Sequence, residues 1–184
     1  MFEKVSGAAV AQHEFNPRKI STMSSVPAER DVPMRFDGAQ LSPQKEIVRK
    51  FYKDMWDHGD IELVPEIFHE NFTFRGSLGP ILIGHGQFSD YVVWVRDTLA
   101  NYTSDIICMV EENDKVAAKL HFHGVHRKTL FGCAPTGQLV GWDGAPIFTF
   151  KDGKVSDLWV LGDIYGLLSR MKEDMVKRPE FAVS

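Results

Sequence analysis

The second half of this chain constrains its fold most, because long runs of strand-forming residues are joined there by tight turns. Tyr102 to Glu111 leads into Glu112-Asn113-Asp114-Lys115, and Val116 to His126 follows. Leu139 to Phe150 leads into Lys151-Asp152-Gly153-Lys154, and Val155 to Gly162 pairs back. Asp-Gly supplies the positive φ angles that a short hairpin turn needs. Strands joined this way lie side by side and antiparallel. A loop rich in glycine and proline, Lys128 to Gln138, separates the two hairpins, and Asp163 to Met171 closes as a helix.

The preceding stretch is largely helical. Ser42-Pro43-Gln44-Lys45-Glu46 places an N-cap serine before a first-turn proline. Ile47, Val48, Phe51, Tyr52 and Met55 then recur at helical spacing up to His58-Gly59. Asp60 caps a shorter helix through Ile67, which Pro65 limits to about two turns. Phe72 and Phe74 alternate with polar residues as a short strand, and Gln87 to Leu99 forms a third helix with Phe88, Tyr91, Val92 and Val95 on one face. Helices, then long antiparallel strands, then a final helix predict one α+β domain over residues 41–175. Residues 1–40 carry three prolines and no sustained period. They read as an N-terminal extension, or as a dimer arm anchored by Phe15, Ile20, Met34 and Phe36. Residues 176–184 read as a C-terminal tail.

The net charge of −4 over 184 residues argues against a nucleic-acid binder, which needs a surplus of Lys and Arg. No apolar run reaches membrane-spanning length. Glu3, Lys4, His13 and Glu14 break up the start of the chain, which therefore lacks the apolar centre of a secretory signal, and a cytoplasmic protein is expected. Cys108 and Cys133 sit among apolar residues and are expected as buried free thiols rather than a disulfide.

Several segments resemble, in a consistent order, the SnoaL-like polyketide cyclases. They are Gly124-Val125-His126, Leu130-Phe131-Gly132, Pro135-Thr136-Gly137, Asp143-Gly144, the run from Ile147 to Val155 around Asp152-Gly153-Lys154, and Trp159 with Asp163 and Gly166-Leu167-Leu168. The resemblance spans residues 44–172. It implies a nuclear-transport-factor-2-like cone, a curved antiparallel sheet wrapped around N-terminal helices, with a pocket between them. It also implies cofactor-free, metal-free acid–base chemistry on a small hydrophobic carbonyl substrate, of the cyclase, isomerase or dehydratase type. The family's catalytic aspartate falls at Val160, its pocket histidine at Pro146, its glutamine at Gly144 and its asparagine at Phe74. Val160 cannot transfer a proton, so the ring-closing mechanism does not carry over.

Strand alternation puts Ala118, Leu120, Phe122, Gly124 and His126 on one face, taken as concave, and His121 and His123 on the other. His126 and Asp163 are the candidate acid–base pair. His126 has a structural alternative, a hydrogen bond to the following loop, and Asp163 has one as a helix N-cap. Tyr52, Trp56, Phe72, Phe74, Tyr91, Trp94, Phe122, Trp142, Pro146, Phe148 and Val160 are the candidate substrate-binding residues. His121-x-His123-x-x-His126 has the spacing of metal ligands, but His126 lies on the wrong face and no carboxylate is expected at a partner position, so no metal site is predicted. Trp159 and Leu161 on the outer face predict a homodimer through the sheet. Three readings remain open: an enzyme, a non-catalytic module for a small hydrophobic ligand, and a structural dimer with a vestigial cavity.

Overall fold

The computed structural model describes residues 31–177, with side chains as far as Glu173. The arm anchors Phe15 and Ile20, and the tail beyond Lys177, lie outside these residues. Met34 and Phe36 pack against this chain's own core, and the Met34 N–H donates to the Ile106 carbonyl at 2.7 Å.

Helix α1 spans Pro43–Arg49. The Ser42 hydroxyl accepts from the Lys45 N–H (3.2 Å), as the capping pattern required. A regular helix was expected to run on to Gly59, but a π-helical stretch, Lys50–Trp56, continues α1 instead. Here N–H groups reach carbonyls five residues back, as from Asp57 to Tyr52 and from Asp60 to Met55. The wider winding turns Phe51, Tyr52, Met55 and Trp56 inward together, and all four are buried. The Phe51 ring alone meets Tyr52, Trp56, Phe68, Phe88 and Phe148, with centroids 4.7 to 6.3 Å apart. Contacts of this kind stabilise beyond simple burial and account for the local departure from α geometry. Gly59, at φ +76°, ends the segment. Asp57 ties its end to the sheet: one carboxylate oxygen accepts from the Ser104 N–H (2.8 Å), and Lys53 pairs with the other.

A 3-10 turn, Ile61–Leu63, precedes α2, Val64–Ile67, which Pro65 holds to a single turn. Strand β1, Phe68–Arg75, is longer than the alternation of Phe72 and Phe74 suggested, and β2, Ile81–Ile83, adds an edge strand that no sequence signal announced. Helix α3 spans Gly84–Thr98. Strands β3, Leu99–Glu112, and β4, Lys115–His126, form the first hairpin, with Asn113 at φ +53° in its turn. Strands β5, Leu139–Lys151, and β6, Lys154–Gly162, form the second, with Asp152 and Gly153 both at positive φ. Helix α4, Ile164–Lys177, closes the domain and runs past the expected boundary.

The six strands make one sheet in the order β2-β1-β6-β5-β4-β3. The expected all-antiparallel sheet is corrected at one place: β1 runs parallel to β6, pairing Phe74 with Leu158. Most of the domain lies between these strands, so no hairpin dictates their relative direction. The remaining pairs are antiparallel. Pro146 lies within β5 between Ile147, paired with Ala117, and Gly144, paired with Leu120, in one unshifted β4–β5 register.

Alternation holds well along β4, β5 and β6. Leu120, Phe122, Trp142, Phe148, Leu158 and Val160 face the helices and are buried, while His121, Asp143, Ile147, Trp159 and Leu161 face outward. In β3 it fails. A register shift between Ile106 and Cys108 reverses the faces, so Cys108 is exposed rather than buried. Cys133 is buried as expected, and both are free thiols. No helix among the described residues is long and apolar enough to cross a membrane.

Candidate functional site

A cavity lies between the helices and the concave face of the sheet. Its wall comes from the π-helical stretch (Phe51, Tyr52, Trp56), α3 (Tyr91, Val95), β1 and the loop after it (Phe74, Gly76, Ser77, Leu78), and the sheet (Tyr102, Phe122, Trp142, Val160). The empty volume is about 360 Å³ including the open mouth, of which about 30 Å³ admits the centre of a water molecule. The aromatic rings therefore fill most of the cone, leaving room at its heart for one or two waters or for a small flat group.

Seven of the residues named from sequence line this space: Tyr52, Trp56, Phe74, Tyr91, Phe122, Trp142 and Val160. Four do not. Phe72 stacks on Phe68 with centroids 3.9 Å apart, and Phe148 packs against Phe51, both deeper in the core. Pro146 is buried on the inner face outside the cavity wall. Trp94 is 42% exposed, one helical turn from Tyr91, and turned toward solvent. Sequence reasoning missed Phe51, Gly76, Ser77, Leu78, Val95 and Tyr102. Gly76-Ser77-Leu78-Gly79-Pro80 reads as turn punctuation, and Tyr102 follows Asn101 (φ +53°) at a β3 bulge, where alternation gives no guidance.

Glycines shape the wall. Gly144 and Gly162 are partners across β5 and β6. A Cβ on Gly144 would overlap the Phe122 ring, so this ring takes the space that a side chain at position 144 would need. A Cβ on Gly162 would overlap the Ser77 hydroxyl and stand 3.0 Å from Trp142 Cδ1. A Cβ on Gly76 would stand 2.9 Å from the Tyr91 hydroxyl.

The lining is polar at a few atoms and titrates at none near neutral pH. Burial pushes the Tyr52 and Tyr102 hydroxyls well above the usual tyrosine range. Burial also raises Tyr91, against the pull of the Leu78 backbone. The tyrosines thus stay protonated, and serine and tryptophan do not ionise in this range. No Asp, Glu or His lies among the described residues that line the cavity.

The structure does not bring His126 and Asp163 together. His126 is fully buried at the end of β4, where Nδ1 accepts from the Thr136 N–H and faces the Thr136 hydroxyl, both at 3.3 Å. This assigns the ring proton to Nε2. Burial lowers the pKa of the imidazole, and the Lys128 backbone carbonyl partly opposes that. Asp163 accepts from the Gly166 N–H at 2.9 Å and caps α4. Its own N–H donates to the Asp143 carbonyl, placing it beside the residue paired with His121. From His121 to His126 the strand advances about 16 Å. The side chain at one end faces out and that at the other faces in.

The outer face holds the titratable groups. His121 Nδ1 lies 2.7 Å from Asp143 Oδ1, and His123 Nε2 lies 3.1 Å from Asp105 Oδ2. Carboxylates therefore do stand at partner positions, against expectation, because the antiparallel registers bring Asp143 and Asp105 across from β4. With His126 on the other side, no group of three or more ligating side chains suited to a metal forms among the described residues. Arg75 lies over the Trp159 ring at 5.6 Å.

The model of the SnoaL-like polyketide cyclase family matches residues 46–171. Solved structures agree. A protein from Jannaschia sp. CCS1 assigned as a SnoaL-like polyketide cyclase superposes with a TM-score of 0.65 at 18% identity, covering 73% of this chain and 97% of that one. A protein from Acidithiobacillus ferrooxidans assigned as a polyketide cyclase gives 0.66 at 20% identity, covering 74% and 99%. One from Bacillus cereus ATCC 10987, likewise assigned, gives 0.58 at 26% identity, covering 72% and 85%. None of the curated proteins matches this chain.

Proposed function

This chain belongs to the SnoaL-like polyketide cyclase family, and from that premise we propose that its cavity, about 360 Å³ with the open mouth included, takes one flat ring of a small hydrophobic molecule, as a ligand-binding module of the family fold. One observation carries this reading: the cavity wall is aromatic and offers neutral hydroxyl and N–H groups, with neither carboxylate nor imidazole among the described lining residues. General acid–base catalysis needs a titrating group within hydrogen-bond reach of the reacting atom. Calorimetric titration with one- and two-ring aromatic probes tests it. Saturable binding that Val160→Phe abolishes is the expected result, because the larger side chain fills the cavity; failure of every probe to bind overturns it in favour of a vestigial cavity.

A second reading, cofactor-free turnover of a hydrophobic carbonyl substrate, draws support from family membership. It assigns the proton transfers to His126 and Asp163, which then have to act from outside the cavity. Loss of turnover in the double alanine variant, with folding intact, is its test. For the assembly, the exposed outer-face residues Ile147, Trp159 and Leu161 support a homodimer through the sheet. Light scattering that returns a monomer mass at micromolar concentration overturns it.

A further inference from the structure

Two buried donors of cavity-lining residues have no hydrogen-bond partner among the described residues: the Ser77 hydroxyl and the Trp142 indole N–H. Trp142 is only 2% exposed. An indole N–H can only donate, and a serine hydroxyl can do so by rotation. Both side chains meet at the Cβ position that Gly162 leaves empty: the Ser77 hydroxyl occupies it, the Trp142 Cδ1, the carbon next to the indole nitrogen, stands 3.0 Å from it, and both residues line the cavity. Buried polar groups are nearly always satisfied, and leaving one unpaired is destabilising. Two such groups converging inside an otherwise aromatic cavity make a place for one acceptor atom.

We propose that Ser77 and Trp142 form a two-donor clamp for an acceptor oxygen of the ligand, a ring ketone or quinone-type carbonyl, and that Gly162 keeps the clamp open. The inference rests on the ligand-binding reading above and adds which end of the ligand is recognised and by which residues. The aromatic wall takes the ring, Phe122 closes the space over Gly144, and the carbonyl points toward the β6 end at Gly162. Ser77 comes from the loop between β1 and β2, so the clamp joins a loop to the sheet and requires that loop to be seated.

The test uses the full chain and a matched pair of probes, 1-indanone and indane, which differ by the carbonyl. Calorimetric titration should show the ketone binding roughly tenfold or more tightly than the hydrocarbon, as one or two net hydrogen bonds predict. Ser77→Ala and Trp142→Phe should each erase most of that preference, read within each variant as the ratio of 1-indanone to indane affinity. Ser77→Ala removes one oxygen from a half-buried loop residue and keeps the test valid should Trp142→Phe disturb folding. In the unaltered protein, the Trp142 indole N–H resonance should move downfield with 1-indanone and stay in place with indane. Equal affinity for the two probes, or an unmoved indole resonance in the ketone complex, overturns the clamp and leaves the hydrophobic-ligand reading standing. Failure of both probes to bind overturns both.

Discussion

Along β4, Leu120, Phe122 and His126 point toward the helices while His121 and His123 point away, so one strand serves two unlike surfaces. The inner surface is aromatic, and its polar atoms near the cavity are neutral donors. The outer surface carries the two histidine–carboxylate pairs beside Ile147, Trp159 and Leu161. In this member of the family the two histidine–carboxylate pairs sit on the side that the cavity does not reach, and the inward-facing His126 lies outside the cavity wall. The difference bears on stability as well as chemistry. Inner contacts are desolvated and dense, whereas the outer histidine–carboxylate contacts compete with water.

The sharpest way to break this contrast is to remove its centre. Phe51→Ala should cost about 3–5 kcal/mol in urea unfolding, because the ring meets five others and the cavity it leaves cannot collapse. A loss near that of an exposed residue would show that the interior is loosely packed.

Next in size, Val160→Asp places a carboxylate at the position that the sequence resemblance aligns with the family's aspartate. Val160 is 6% exposed, so the new group is buried beside aromatic rings with no cation facing it among the cavity residues. Destabilisation of about 3 kcal/mol is expected at pH 8. Burial raises the folded-state pKa of the new carboxyl above its unfolded value, so the penalty grows as pH rises through that range and shrinks toward pH 5. Unfolding curves at the two pH values check the sign, and Val160→Asn should show no such dependence.

A smaller effect belongs to His126. Burial depresses its pKa in the folded protein. The unfolded chain therefore binds more protons, and the stability due to the neutral ring is complete above about pH 6.5 and declines as pH falls through the folded-state pKa. His126→Gln should flatten the fall in unfolding midpoint between pH 7 and pH 5. An unchanged slope would place the pH dependence elsewhere.

Smallest of all, Asp143→Asn on the outer face should cost about 0.5 kcal/mol or less, shrink further in salt and leave probe binding unaltered. A large loss of binding would join the two faces functionally and remove the contrast.

Much of this division was legible in the residues. Alternation along β4, β5 and β6 placed Phe122, Trp142 and Val160 inside and His121, Trp159 and Leu161 outside, because a strand has a period of two and one face must be buried. It failed where the period is broken. Cys108 and Tyr102 lie next to bulges of β3, each of which resets the faces by one residue. Likewise Ser77 sits among turn residues, whose spacing carries no information about what they touch.

By itself the sequence determined the start of α1, the two hairpins, the α+β class and the family, since capping, turn chemistry and periodicity act over a few neighbouring residues. Only the tertiary structure decided that His126 and Asp163 stand apart, that α1 widens around Phe51, that Asp143 and Asp105 meet the outer histidines, and that Ser77 and Trp142 converge over Gly162. Those outcomes depend on register and on contacts between residues distant in the chain. The 64 positions between Ser77 and Trp142 carry no local signal of their meeting.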